Sequence, residues 1–133
     1  MAGIRQDYIT RMIEQLVAAL AAILGAATGK RTDDALTLVH EACLTVLGME
    51  YRMLLTIDAA SVAELLGHPE RIQALARLVI AEADVLQMKG DTEGVAHRLG
   101  HALGLLLETE RRRTAPNDET EALLRDVRRR LVS

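Results

Sequence analysis

His97 and His101 stand four residues apart, the spacing at which two imidazoles on one helix face can share a metal ion, with Glu93 one turn earlier. No glutamate follows the first histidine, so the zinc-protease pattern fails, and a solvated helix face is the expectation. His40 and Cys43, three apart, could serve a soft metal if a second pair faced them. The plainer expectation is a small buried thiol beside a boundary histidine. Glu82 and Asp84 interrupt an apolar segment, but residues two apart on a helix point in different directions and cannot share acid and base roles. They are expected at a solvated edge or paired with Arg77 or Lys89. Ser61 sits in a capping context without a base nearby, and no glycine-rich phosphate loop follows a strand. No enzyme activity, cofactor or metal is expected, with His97, His101, His40 and Cys43 as the weak metal candidates.

Two further groups concern contact. Ala96, Gly100 and Gly104 recur every four residues, and each interior glycine costs a helix about 1 kcal/mol relative to alanine. That cost suits a close helix approach, within the fold or across a dimer. Arg111–Arg113 and Arg128–Arg130 make the C-terminal end basic, and Arg112, Arg128 and Arg129 are candidate contacts for an acidic partner, nucleic acid or an anionic membrane surface. Glu121–Arg125 and Asp126–Arg130 lie at i, i+4, where internal pairing competes with that role.

Helical periodicity must position all of these. A helix over about 5–26 carries Ile9, Met12, Ile13, Leu16, Leu20, Ile23 and Leu24 as its main stripe. Ala18, Ala19, Ala21 and Ala22 leave its second half without a polar face, so it is expected at the centre of the fold or in a dimer contact, with Ala19 a candidate contact residue. A second helix spans about 33–47, capped by Thr32 or Asp33 and stopped at Gly48. The irregular 49–67 segment holds short helices near 51–55 and 61–66, the latter opening with the capping box Ser61–Glu64. Pro69 opens the next helix, which turns at Lys89-Gly90-Asp91 into another showing Val95, Leu99, Ala102, Leu103 and Leu106. A linker at 114–117 leads to a last helix over about 118–131. Ala35, Val39 and Ala42 match Val95, Leu99 and Ala102 at a constant offset of 60. Two hairpins separated by an insert are therefore expected, five or six helices in all, with 1–113 as the domain and 114–133 as linker and basic helix.

Composition agrees with an all-α class. Of 133 residues half are hydrophobic, with no Phe, no Trp, two Tyr and two Pro. Residues 1–110 hold 9 Lys/Arg against 15 Asp/Glu (−6), and residues 111–133 hold 7 against 4 (+3), giving the net −3. An acidic body without aromatic platforms makes nucleic acid an unexpected partner. A single cysteine excludes internal disulfides and suits a reducing, cytoplasmic setting. The longest unbroken apolar run, 16–24, is 9 residues against the ~20 a bilayer needs, so no membrane span and no cleaved leader are expected.

The opening Ile4-Arg5-Gln6-Asp7-Tyr8-Ile9, with Arg11 and Ile13-Glu14-Gln15-Leu16, resembles the start of an uncharacterised bacterial family of small all-helical proteins. The resemblance continues through Ala35, Ala42 and Leu47-Gly48-Met49, then Ala76-Arg77-Leu78, Ala83-Asp84, Gly90-Asp91, Arg98 and Ala102-Leu103, over about 4–110. It implies a tetratricopeptide-like fold and adds no function, since members of that family have no assigned activity. The turn 29–33 is longer than that family's usual Gly-Asp turn, which bears on the register of the first hairpin. The expectation is a non-enzymatic interaction module of unknown partner, self-associating as a homodimer. The alternatives are a metal- or small-ligand protein using His97 and His101, and an adaptor using its basic C-terminal helix.

Overall fold

The computed structural model describes residues 2–133, with side chains described from Gln6 onward; the Ile4 and Arg5 side chains of the N-terminal motif lie outside that range. Among the described residues there are seven helices and no strand: α1 (Ala2–Thr28), α2 (Thr32–Leu47), α3 (Tyr51–Leu55), α4 (Ala59–Leu66), α5 (Pro69–Met88), α6 (Thr92–Arg112) and α7 (Asp118–Val132). The count exceeds five or six: the two short helices expected within 49–67 both form alongside five longer ones.

Local chemistry sets most boundaries. Pro69 occupies the first turn of α5, and the His68 ring nitrogen accepts from the Glu70 N–H at 3.0 Å. Asp91 caps α6 through the Gly94 N–H at 2.9 Å, and Asn117 caps α7 through the Thr120 N–H at 3.0 Å. Two expected caps shift. α4 begins one turn earlier than 61, because the Asp58 carboxylate accepts from the Ser61 N–H at 3.1 Å and also from its hydroxyl. α2 starts at Thr32 with Arg31 in the cap position and no side-chain cap bond, while Asp33 and Asp34 fall in its first turn, where the helix dipole favours acids. Gly48 and Gly67 end α2 and α4 at φ of 71° and 77°, a left-handed backbone that other residues rarely adopt.

α5 is the centre of the molecule. It packs against α1, α2, α4 and α6, and Ile72, Leu75, Ala76, Leu78, Val79 and Ala83 are fully enclosed. α1 and α2 pair, α2 lies on α5, α5 pairs with α6, and α6 is flanked by α4 and α7. α1 therefore lies at an edge, which corrects the expectation that it could be central. Its inner stripe of Ile9, Met12, Leu16, Ile23, Ala26 and Ala27 is buried, whereas Ala18, Ala21 and Ala22 face out. Arg71 ties the edge down: it donates to the Leu47 and Leu66 carbonyls at 3.0 and 3.1 Å and to the Tyr8 hydroxyl. Loose carbonyls at two helix ends are thereby satisfied by one guanidinium.

Candidate functional site

The chemistry-bearing residues converge on one buried carboxylate. Glu82, only 5% exposed, projects from α5 and accepts from the Tyr51 hydroxyl of α3 at 2.8 Å. The Arg98 guanidinium of α6 pairs with the same carboxylate oxygen. His40 of α2 packs edge-on against Tyr51 with ring centroids 4.9 Å apart, and His97 lies within 3.0 Å of Arg98. His97 and His101 stand edge to face at 4.8 Å. Thus α2, α3, α5 and α6 meet at one polar seam. Glu82 is not at the solvated edge expected for it, and its partners are Tyr51 and Arg98. Arg77 pairs with Glu119, Lys89 with Asp33, and Asp84 with Arg130 at 2.9 Å. Helix periodicity places Glu82 inward in line with Val79 and Ala83, but its partners lie 31 and 16 residues away in sequence, beyond any local signal.

Burial favours the neutral forms of Tyr51, Cys43 and His101 around the seam. Burial raises the Tyr51 phenol well above its ordinary value, and the Glu82 carboxylate adds to the shift. Burial pushes the Cys43 thiol up to about 12, so it remains an unreactive thiol in the core. Burial lowers His101, with His97 and Arg98 adding to that effect. Among the described residues, no three His, Cys, Asp or Glu side chains cluster as a metal would require, and His40 and Cys43 on α2 do not join His97 and His101 in such a group. Four concavities among the described residues are lined by other side chains than Glu82, Tyr51, Arg98, His97 and His101.

The contact candidates separate. Gly104 admits α4: a Cβ there would lie 3.1 Å from the Ala59 Cβ. Gly100 has open space around it and Ala96 is exposed. Ala19 is half-buried against the core. Arg112 pairs with Glu108 at 3.7 Å and Glu64 at 3.5 Å, Arg129 pairs with Asp126, and Arg128 is exposed. Arg130 reaches Asp126 at 3.9 Å as the i, i+4 spacing suggests, whereas Glu121 and Arg125 form no pair among the described residues.

The outer flank of α1 is a surface of another kind. Ile13, Val17 and Leu24 are 37%, 54% and 59% exposed, and with half-buried Leu20 they follow the 4-3-4 spacing of a helix–helix seam. Beside them α1, α5 and α7 enclose an apolar groove of ≈ 290 Å³ lined by Leu20, Leu24, Ile80, Ala81, Met88 and Leu123, with Arg77 and Asp84 in its wall. The 9-residue run concealed how apolar the helix is as a whole: Gln6–Thr28 is long and apolar enough to cross a membrane, although its inner stripe is docked on α2 and α5. No family model matches the chain, and neither a curated protein nor a solved structure matches it.

Proposed function

We propose that the chain is a non-enzymatic interaction module of the cytoplasm, built from two tetratricopeptide-like hairpins, that self-associates as a homodimer through the outer flank of α1. The observation that carries this reading is the row of exposed Ile13, Val17 and Leu24 at helix-seam spacing beside an apolar groove. Side chains of this size each gain about 1.5–3 kcal/mol on full burial, and among the described residues they stay exposed. The α1–α2 and α5–α6 pairs, joined through α2 on α5, support the two-hairpin description. The buried setting of Glu82 and the high thiol of Cys43 support a role without chemistry.

Sedimentation velocity across the micromolar range tests it. The wild-type chain is expected to dimerise, and Val17→Glu and Leu24→Glu to be folded monomers by circular dichroism, since both positions are exposed. A wild-type monomer throughout that range sinks the proposal.

A further inference from the structure

The groove carries a charge pattern that specifies its occupant. On α5, Arg77 and Asp84 are seven residues and therefore about 10 Å apart, and they bracket Ile80 and Ala81 symmetrically. Ile80 and Ala81 are partly exposed, and their surroundings in the groove are Leu20 and Leu24 of α1 and Leu123 of α7. An apolar centre with one cation and one anion at equal distances on either side is self-complementary under a twofold rotation, as an isologous dimer interface must be. We infer that two copies meet face to face across the layer formed by α1, α5 and α7, with the twofold axis over Ile80 and Ala81 and the α5 helices antiparallel. This geometry rests on the self-association proposed above.

In that arrangement Arg77 of each copy faces Asp84 of the other, twice over. Leu20 and Leu24 of each α1 then meet the α1 of the other copy, and Leu123 of each α7 meets its counterpart. Both charged groups keep an intramolecular partner, Glu119 at 3.5 Å and Arg130 at 2.9 Å, so neither is stranded in the separated chain. Their side chains are 32% and 52% exposed, which leaves each able to take a second partner. A lipid surface suits this face badly, because the Asp84–Arg130 and Arg77–Glu119 pairs would have to leave water for the acyl region. A second copy supplies the matching charge at the matching distance.

The test uses the full chain. Ala81→Cys places one thiol on the axis, where the two copies' thiols face each other, while buried Cys43 stays silent. Mild oxidation or a short bis-maleimide is expected to give a covalent dimer from Ala81→Cys and not from Ala60→Cys, an exposed position on α4. Arg77→Asp and Asp84→Arg are each expected to weaken the dimer about tenfold or more, because each sets like charges opposite one another. The double variant restores the pattern and is expected to recover most of that loss. A wild-type dimer in which Ala81→Cys does not cross-link and the double variant does not recover overturns this geometry and leaves self-association standing. A wild-type monomer overturns both. A monomer that floats with phosphatidylglycerol vesicles assigns the face to lipid and overturns the second copy as its occupant.

Discussion

Removing Arg98 should damage this fold more than removing Glu82. The two side chains form one ion pair, yet the consequences differ because their surroundings do. Glu82 is 5% exposed, so Arg98→Ala leaves a carboxylate in the core with only the Tyr51 hydroxyl for company. Stranding a buried charge typically costs about 3–5 kcal/mol. Glu82→Ala strands two groups less severely. The Tyr51 hydroxyl, essentially fully buried, loses its acceptor at about 1–3 kcal/mol. The Arg98 side chain is 26% exposed and can turn its guanidinium to water, which holds its share below the buried-pair figure. Glu82→Ala is therefore expected near 2–3 kcal/mol and Arg98→Ala near 3–5 kcal/mol, against a total stability of ~5–15 kcal/mol for a domain of this size. Urea unfolding at neutral pH, followed by far-ultraviolet circular dichroism, measures both, and the double variant closes the cycle. The triple variant Tyr51→Phe, Glu82→Leu, Arg98→Leu removes the polar seam altogether and is expected to recover most of the loss, since apolar replacements of buried pairs are often neutral or better. Equal and additive losses from the two single variants would refute the argument, as would a cost for Arg98→Ala under ~1 kcal/mol.

Other perturbations separate neighbouring positions. Gly100→Ala is expected to stabilise by up to about 1 kcal/mol, because a Cβ there meets nothing, whereas Gly104→Ala must press on Ala59 and is expected to gain little or lose stability; equal gains in melting temperature would show that α4 is not close. Burial holds His101 below its ordinary 6.5, so the unfolded chain takes up this proton first as pH falls. The His101 contribution is present above 6.5 and declines as pH drops through that value toward the folded one, and His101→Gln should flatten the stability profile as pH falls below 6.5; a parallel profile would refute this. Deleting 114–133 uncovers the surface against which Leu124 and Val127 are buried and deprives buried Gln73 of Thr120, so a loss of several kcal/mol in urea unfolding is expected, on the order of 1.5–3 per large side chain; an unchanged midpoint would show an independent tail.

What was legible in the chain was what neighbours in sequence decide. The 3- and 4-residue steps of Ile72, Leu75, Ala76 and Val79 name a buried helix face without help from the rest of the fold, and Pro69, Gly48 and Asp91 mark helix ends through their own backbone or side-chain chemistry. Ser61 shows the limit of that reasoning. It looks like a cap because Glu64 follows three residues later, but Asp58 stands one turn earlier and offers a carboxylate to the same N–H, so the helix begins there. The placement of α1 was not legible for a different reason. A helix apolar nearly all round announces that it needs cover on several sides, but not whether its own chain provides that cover. Here the chain covers one stripe and leaves Val17 and Leu24 in the open.

The uneven charge of the chain has a structural counterpart that composition could not disclose. The acidic body and the basic end are matched to each other: Arg113 pairs with Glu70 at 2.7 Å, Arg130 with Asp84 at 2.9 Å and Arg112 with Glu64 at 3.5 Å, each joining the positive segment to the negative one. Glu119 and Arg77 add the same link with signs reversed. Of these, Arg130–Asp84 and Arg77–Glu119 involve α7 itself, and ion pairs with an exposed partner are individually worth about 0–1 kcal/mol, so these two orient α7 more than they hold it. The hold comes from Leu124, Val127 and the buried Thr120–Gln73 bond, and the charges select the register in which those residues reach the core. A binding role for this helix would then have to rest on Arg125 and Arg128, which are exposed and form no ion pair among the described residues. If Arg125→Glu and Arg128→Glu together leave the oligomeric state and the melting temperature unchanged while reversing both charges, their exposed side is surplus to the fold, and a salt-sensitive partner should be sought there; a large loss of stability would show that they too serve the α7 docking.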